Sequence, residues 1–295
     1  MVSRMRYTST ISMPIETITE QFPLDDPTLA ETGFYWREHE DVKVLVSISL
    51  EGIGFINGFS TRLGGVSSFP SRSLNLSGVD IDSSDNIQIN RSRFLKTLGC
   101  DREISTCHQI HGDAIHLVES SVDISDSVDS DALISKVQGR LVGVKTADCV
   151  PILIGDKATG AFAAIHAGWR GSVKQIASKT VSRLSAHFGS RADELHAAIG
   201  PAASGRSYEV GPEVVSSFLD SLPGSSELFN PTHDGHALVD LHLATFLQLV
   251  NAGLRPENIS IAPFCTIERT DLFFSHRAES VNGPTGRMLS VIGRK

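Results

Sequence analysis

The chain has 295 residues, 40% of them hydrophobic and 20% charged, with a formal net charge of −8 at pH 7. That composition fits an ordinary soluble globular protein able to bury a large core without covalent staples, and it argues against disordered, fibrous and membrane-spanning chains. The acidic balance disfavours a broad basic face, so no nucleic-acid or membrane partner is expected, small molecules fit better, and the oligomeric state is left open. Cys100, Cys107, Cys149 and Cys265 are irregularly spaced with no secretory leader before them, and read as free thiols of the cytoplasm.

In chain order, residues 1–40 begin with MVSRMRYTSTISMP and read as a polar N-terminal extension, and 41–295 as a single domain. VKVLVSISLEGIGFINGFSTR (42–62) mixes β-branched alternation with glycine breaks and predicts two early strands. RLGGVSSFPSRSLNL (62–76) is too rich in Gly, Ser and Pro for a regular element and reads as a long loop of the kind that often carries function. In 85–98, Ile87, Phe94, Leu95 and Leu98 fall at helical spacing and Gly99 provides a stop. AIHLVE (114–119) is a short strand, whereas SSVDISDSVDSD (120–131) reads as a solvated acidic surface segment.

LVGVK (141–145), VPILIG (150–155) and AFAAIH (161–166) are apolar strands, the last two joined by a tight hairpin between Asp156 and Gly160. Residues 172–188 predict one amphipathic helix with Val173, Ile176, Ala177, Thr180, Val181 and Leu184 on its apolar face. LHAAIG, NISIAPF and MLSVIG add strands, and 211–220 and 240–252 add helices. Strands and helices interleave without a strict βαβ rhythm, which predicts a mixed-sheet α/β or α+β fold in one domain.

Chemistry concentrates where strands end. CHQIHGD (107–113), KTADCVPIL (145–153) and AIHAGWRGS (164–172) each set a histidine or cysteine beside a turn, and strand ends along one sheet edge can converge in space. His111, Cys149 and His166 would supply two imidazoles and a thiolate, a donor set suited to zinc that leaves a fourth tetrahedral position free. The same residues allow a metal-free alternative in which Cys149 is a nucleophile and His166 its base. Asp148 could orient a ligand from beside Cys149. Gly168 and Gly171 flank Trp169 and Arg170 in a turn running into a helix, which would aim free N–H groups and a guanidinium at an anion. Arg62, followed by two glycines, is a second candidate anion contact, while Tyr208 reads as a packing residue.

Taken together, GFSTRLGGVS (58–67), SLNL (73–76), NRSRFLKTLG (90–99), QIHGD (109–113), TADCVPIL (146–153), HAGWRGS (166–172), AIGPA (198–202), YEVG (208–211), CT (265–266), FFSHR (273–277) and GRM (286–288) resemble one family over most of the chain. It is the family of multicopper polyphenol oxidase or laccase-like proteins, which includes the peptidoglycan editing factor and a macrophage purine-metabolism enzyme. The resemblance implies a layered sandwich of mixed β-sheets flanked by helices, with His111, Cys149 and His166 as the metal site. It further implies phosphorolysis of adenosine, inosine or guanosine to the free base and ribose 1-phosphate, with adenosine deamination as a second activity in several members. Orthophosphate would then fall to Arg62, Arg170 and the backbone at Gly168 and Gly171. A hydrolase or amidase acting on a cell-wall precursor is the alternative that the editing-factor branch offers. Copper is expected less than zinc, since a laccase needs many histidines gathered into several copper sites and only one mixed N/S site is apparent. This sequence departs from the family at Asn57, Ser207 and His276, where histidine, cysteine and tyrosine are usual, which bears on substrate preference.

Overall fold

The computed structural model describes residues 26–68, 71–77, 81–120, 128–222 and 224–295; the polar lead through residue 25 and most of the acidic run (121–127) lie outside them. Two six-stranded mixed sheets form the centre. The first runs in the order Phe34–His39, Val42–Ser47, Phe55–Ser60, Met288–Arg294, Arg140–Thr146, Glu103–Ser105. The second runs Ile259–Ile261, His196–Ile199, Val150–Gly155, Phe162–Ala167, Ala132–Ser135, Ile115–Val118.

Strand alternation explains why these sheets stack. Along the second sheet, Leu133, Leu153, Phe162, Ala164 and Ala198 point to one side, where they meet Leu45, Phe55, Phe59, Val142, Val144 and Ile292 of the first. Their neighbours Ile134, Ile152, Ile154, Ile165 and Ile199 point the other way, onto the helices Ile176–Phe188, Pro212–Ser221 and Leu241–Asn251. Beyond the first sheet, Val44, Leu141, Leu289 and Val291 pack on Phe94 and Leu98 from the helix Ser84–Thr97 and its end. The order helix, sheet, sheet, helices is therefore a layered mixed α/β sandwich. Each fully buried Leu, Ile, Val or Phe contributes about 1.5–3 kcal/mol, so both faces of both sheets stabilise the arrangement. No helix among the described residues is long and apolar enough to cross a membrane.

Several elements differ from the sequence expectation. The folded unit starts ahead of residue 41: Phe34–His39 pairs with Val42–Ser47 in register Phe34↔Ser47, and Phe34 is completely buried. The segment 62–76 is not structureless, because Ser67–Ser68 pairs with Ser71–Ser73. Buried Asn90 ties it down, accepting from Val66 N at 2.9 Å and donating to Ser67 Oγ and the Asn75 carbonyl. The helix expected over 172–188 is two, Trp169–Val173 and Ile176–Phe188, because Gln175 takes a left-handed conformation at φ 61°. The apolar face of the second keeps Ile176, Ala177, Thr180, Val181 and Leu184 buried.

A methyl group at Gly65 would run into the backbone of Ser73 and Leu74, whereas one at Gly52 meets nothing within 4 Å. Gly65→Ala is expected to lower stability in urea unfolding by about 1–3 kcal/mol through overpacking, and Gly52→Ala to be neutral or stabilising.

Candidate metal centre

Strands Val150–Gly155 and Phe162–Ala167 pair antiparallel with Pro151 opposite His166. Residues 162, 164 and 166 share one face, and 153, 151 and 149 share the matching face of the neighbour, so His166 and Cys149 reach the same edge of the sandwich on the same side. The pairing ends at Val150 opposite Ala167, and Gly168 comes next, close to Cys149. A Cβ at Gly168 would stand 3.0 Å from His111 Cδ2 and 3.1 Å from Cys149 Sγ. Gly171 similarly lets its helix approach the Gly112 carbonyl, a Cβ there lying 3.0 Å from that oxygen. The glycines of HAGWRGS thus clear space for other groups. Cradling of an anion is not needed to account for them.

His111 arrives from a loop and holds φ at 57°, a conformation that requires outside support. Asp131 provides it. This fully buried carboxylate accepts from the backbone N–H of His111 at 3.0 Å, Gly112 at 2.6 Å and Ile110 at 3.3 Å, and from His166 Nδ1 at 2.8 Å. The Asp131 carbonyl also receives the His166 N–H at 2.7 Å. One aspartate therefore positions two histidines from distant segments and leaves His166 Nε2 facing Cys149. The nitrogen and sulfur donors of His111, Cys149 and His166 all lie within 4.8 Å of one another, with His166 buried, Cys149 half-buried and His111 exposed.

The electrostatics match that layout. Burial alone would push the Cys149 thiol up, but positive His166 and hydrogen bonds from His111 and His166 bring it down to about 6. His166 is opposed by burial and raised by the Cys149 thiolate and Asp131 to about 9. For Asp131, burial acts upward, yet the hydrogen bonds from His166 and the Gly112 and His111 amides hold it below the usual carboxylate range. The first two shifts favour a Cys149 thiolate facing a His166 imidazolium, with the Asp131 carboxylate behind it.

The other sequence candidates divide. Arg62 is a buried structural cation: its Nη1 donates to Glu279 Oε1 at 2.6 Å, to the Thr270 carbonyl at 2.6 Å and to the Phe273 carbonyl at 3.3 Å, and its guanidinium lies over the Phe274 ring. That pairing removes it from the expected role of free anion contact. Arg170 is exposed and stacks on Trp169 at 4.3 Å. Asp148 is turned away from ligand duty, accepting from Thr266 Oγ1 at 2.6 Å and Arg277 N at 2.7 Å. Asn57 spends its amide on the Ser47 backbone inside the first sheet, so its departure from the family pattern reaches no donor of the cluster. Sequence reasoning missed Asp131, which was hidden at the end of an acidic run.

A family model described as multi-copper polyphenol oxidoreductase laccase matches residues 56–295. The chain belongs to this family. Similar relatives include a purine nucleoside phosphorylase of Corynebacterium glutamicum, 34% identical over 237 residues that cover 79% of this chain and 92% of the relative. Another from Bacteroides thetaiotaomicron is 34% identical over 266 residues, covering 86% and 97%. Among solved structures, the hypothetical protein YfiH of Bacillus licheniformis superposes with a TM-score of 0.81 at 29% identity, over 88% of this chain and 99% of that one.

The cluster could hold a metal ion. Tetrahedral zinc with one sulfur and two imidazole nitrogens places its donors about 3.5 Å apart, so side chains already within 4.8 Å need only small rotations to close on an ion. Carboxylate support of a ligand histidine through its other ring nitrogen is the usual means of fixing tautomer and orientation. Asp131→Asn is expected to weaken metal binding about 10–100-fold in competition with a chromogenic chelator, with a stability loss of about 1–3 kcal/mol. Asp113→Asn, which removes a surface partner of Lys174 and Lys179, should change stability by no more than about 1 kcal/mol.

Proposed function

We propose that the protein is a zinc-dependent purine nucleoside phosphorylase. It would convert adenosine, inosine or guanosine and orthophosphate to the free base and ribose 1-phosphate, with adenosine deamination as a second activity. The observation that carries this reading is the His111, Cys149 and His166 cluster, set at one edge of the sandwich in a chain whose relatives bear that name. In phosphorolysis the C1′–N9 bond breaks, the base leaves with its electron pair and takes a proton, and an oxygen of phosphate bonds to C1′. When bound, zinc supplies a Lewis acid that stabilises developing negative charge.

The chain's own residues have three tasks. Asp131 holds His166 and the His111 loop in fixed geometry, so little reorganisation accompanies reaction. Gly168 keeps the approach to His111 and Cys149 free of a side chain. The nucleoside and phosphate must be held together long enough to react, which converts an encounter of two small molecules into a local event. Arg170, exposed on the helix that begins at Trp169, is available for such a contact.

A second reading is favoured by one observation: the Asp131, His166 and Cys149 chain has the orienter, base and nucleophile order of a cysteine hydrolase. One set of assays separates the two. Inosine and adenosine incubated with the purified protein should release base and ribose 1-phosphate only when phosphate is present. Chelation, His111→Ala and Cys149→Ala should each reduce turnover about 100-fold or more. Full activity in exhaustively metal-depleted protein, abolished by alkylation of Cys149, would favour the hydrolase; absence of base release from any purine nucleoside would overturn the phosphorylase.

A further inference from the structure

Two arginines near the cluster form no ion pair with a carboxylate among the described residues. Met288 pairs with Thr146 at the end of their strands, so the preceding Arg287 falls opposite Ala147, two residues from Cys149. Its backbone is clamped on both sides: the N–H donates to Asn75 Oδ1 at 2.9 Å, and the carbonyl accepts from Leu76 N at 3.1 Å. Nη1 donates to the Thr285 and Gly286 carbonyls at 2.8 and 2.9 Å, while Nε and Nη2 make no hydrogen bond among the described residues. The guanidinium is half-buried, and burial disfavours its charge against the opposing pull of Cys149 and Asp148.

Arg277 is exposed on the short helix His276–Glu279. Its backbone N–H is held by Asp148, whose carbonyl-to-Ala203 bond fixes the turn just before Cys149. Its Nη1 donates to the Glu209 carbonyl at 2.7 Å, and its guanidinium lies 4.9 Å from the ring centre of Tyr208. Tyr208 also feels the charges of Cys149 and Asp148, so tyrosine, arginine and thiol share one neighbourhood.

Arg37, Arg62, Arg140, Arg191, Arg206, Arg255 and Arg269 each reach a carboxylate within 4.0 Å, whereas Arg93, Arg102, Arg170, Arg183 and Arg294 do not among the described residues; what sets Arg277 and Arg287 apart is their place beside Asp148 and Cys149. Arg277 and Arg287 form no such pair among the described residues, and the nearby Asp148 carboxylate is already engaged by Thr266 and the Arg277 backbone. Arg287 is half-buried and Arg277 exposed; a guanidinium with open donors and no acid partner can take an anion, and its fork matches two oxygens of a tetrahedral oxyanion.

We infer that Arg277 and Arg287 form an orthophosphate-binding site beside the His111, Cys149 and His166 cluster, in the role that the sequence suggested for Arg62. The choice of orthophosphate as the anion rests on the phosphorylase reading; the presence of an oxyanion site does not. Calorimetric titration of the full-length, zinc-loaded protein with inorganic phosphate tests it. Arg287→Gln and Arg277→Gln should each raise the phosphate dissociation constant about tenfold or more, and Arg287→Lys should fall between wild type and Arg287→Gln. Arg183→Gln, an exposed change on the helix Ile176–Phe188, should leave it unaltered. Thermal unfolding of each variant separates loss of site from loss of fold.

Phosphate affinity unchanged in both glutamine variants, or no phosphate binding by the wild-type protein, would overturn the inference. If phosphate binds through these arginines but no nucleoside is cleaved, the anion site stands and phosphorolysis fails. If nucleosides are cleaved with a phosphate KM indifferent to both substitutions, phosphorolysis stands and the site fails.

Discussion

One buried carboxylate organises the functional edge of this protein. Asp131 is fully inaccessible, and a charge so placed is tolerable only when its oxygens are saturated with donors. Here the donors are three consecutive amides of the Ile110–Gly112 turn and the ring of His166. The electrostatic requirement of one aspartate thereby dictates the path of a loop and the orientation of a histidine on a separate strand. Removing the carboxylate would leave those amides without an acceptor and His111 without support for its left-handed backbone.

The sandwich supplies the rigidity that this arrangement needs. Cys149 and His166 extend from two strands whose side chains are all buried, between two apolar layers, so their spacing is set by sheet register rather than by loop conformation. His111 and Arg287 come from irregular segments and Arg277 from the short helix His276–Glu279, each fastened by local polar contacts. Asn75 and Asn90 secure the 62–76 segment, which in turn clamps Arg287, and the Arg62–Glu279 pair anchors the segment that carries Arg277. A fixed pair of donors with adjustable neighbours is a common division of labour between scaffold and loops.

Much of this was legible in the sequence, for identifiable reasons. Apolar runs ending in Cys149 and His166 announced strand ends, and their spacing permitted convergence with His111. The helix Ser84–Thr97, the Asp156–Gly160 hairpin and the mixed α/β class followed from periodicity and turn chemistry. What local pattern could not reveal depended on distant contacts. Asp131 closes the run SSVDISDSVDSD and looks solvated; it is buried because Ile115–Val118 pairs in parallel with Ala132–Ser135 and brings the His111 loop over it. Arg62 before two glycines looks like an anion grip, yet its partners Thr270, Phe273 and Glu279 come from the other end of the chain. The break at Gln175 left no trace, since Val173 and Ile176 remain on one apolar face whether or not the helix is continuous.

We propose a single zinc ion held by the Cys149 sulfur and the His111 and His166 imidazoles. X-ray absorption at the zinc edge, on protein purified without added metal, examines that shell directly. It should contain one sulfur at about 2.3 Å and two imidazole nitrogens at about 2.0–2.1 Å, with the sulfur lost in Cys149→Ser. Zinc absent from the active protein, or a shell of light atoms with no sulfur, would contradict it.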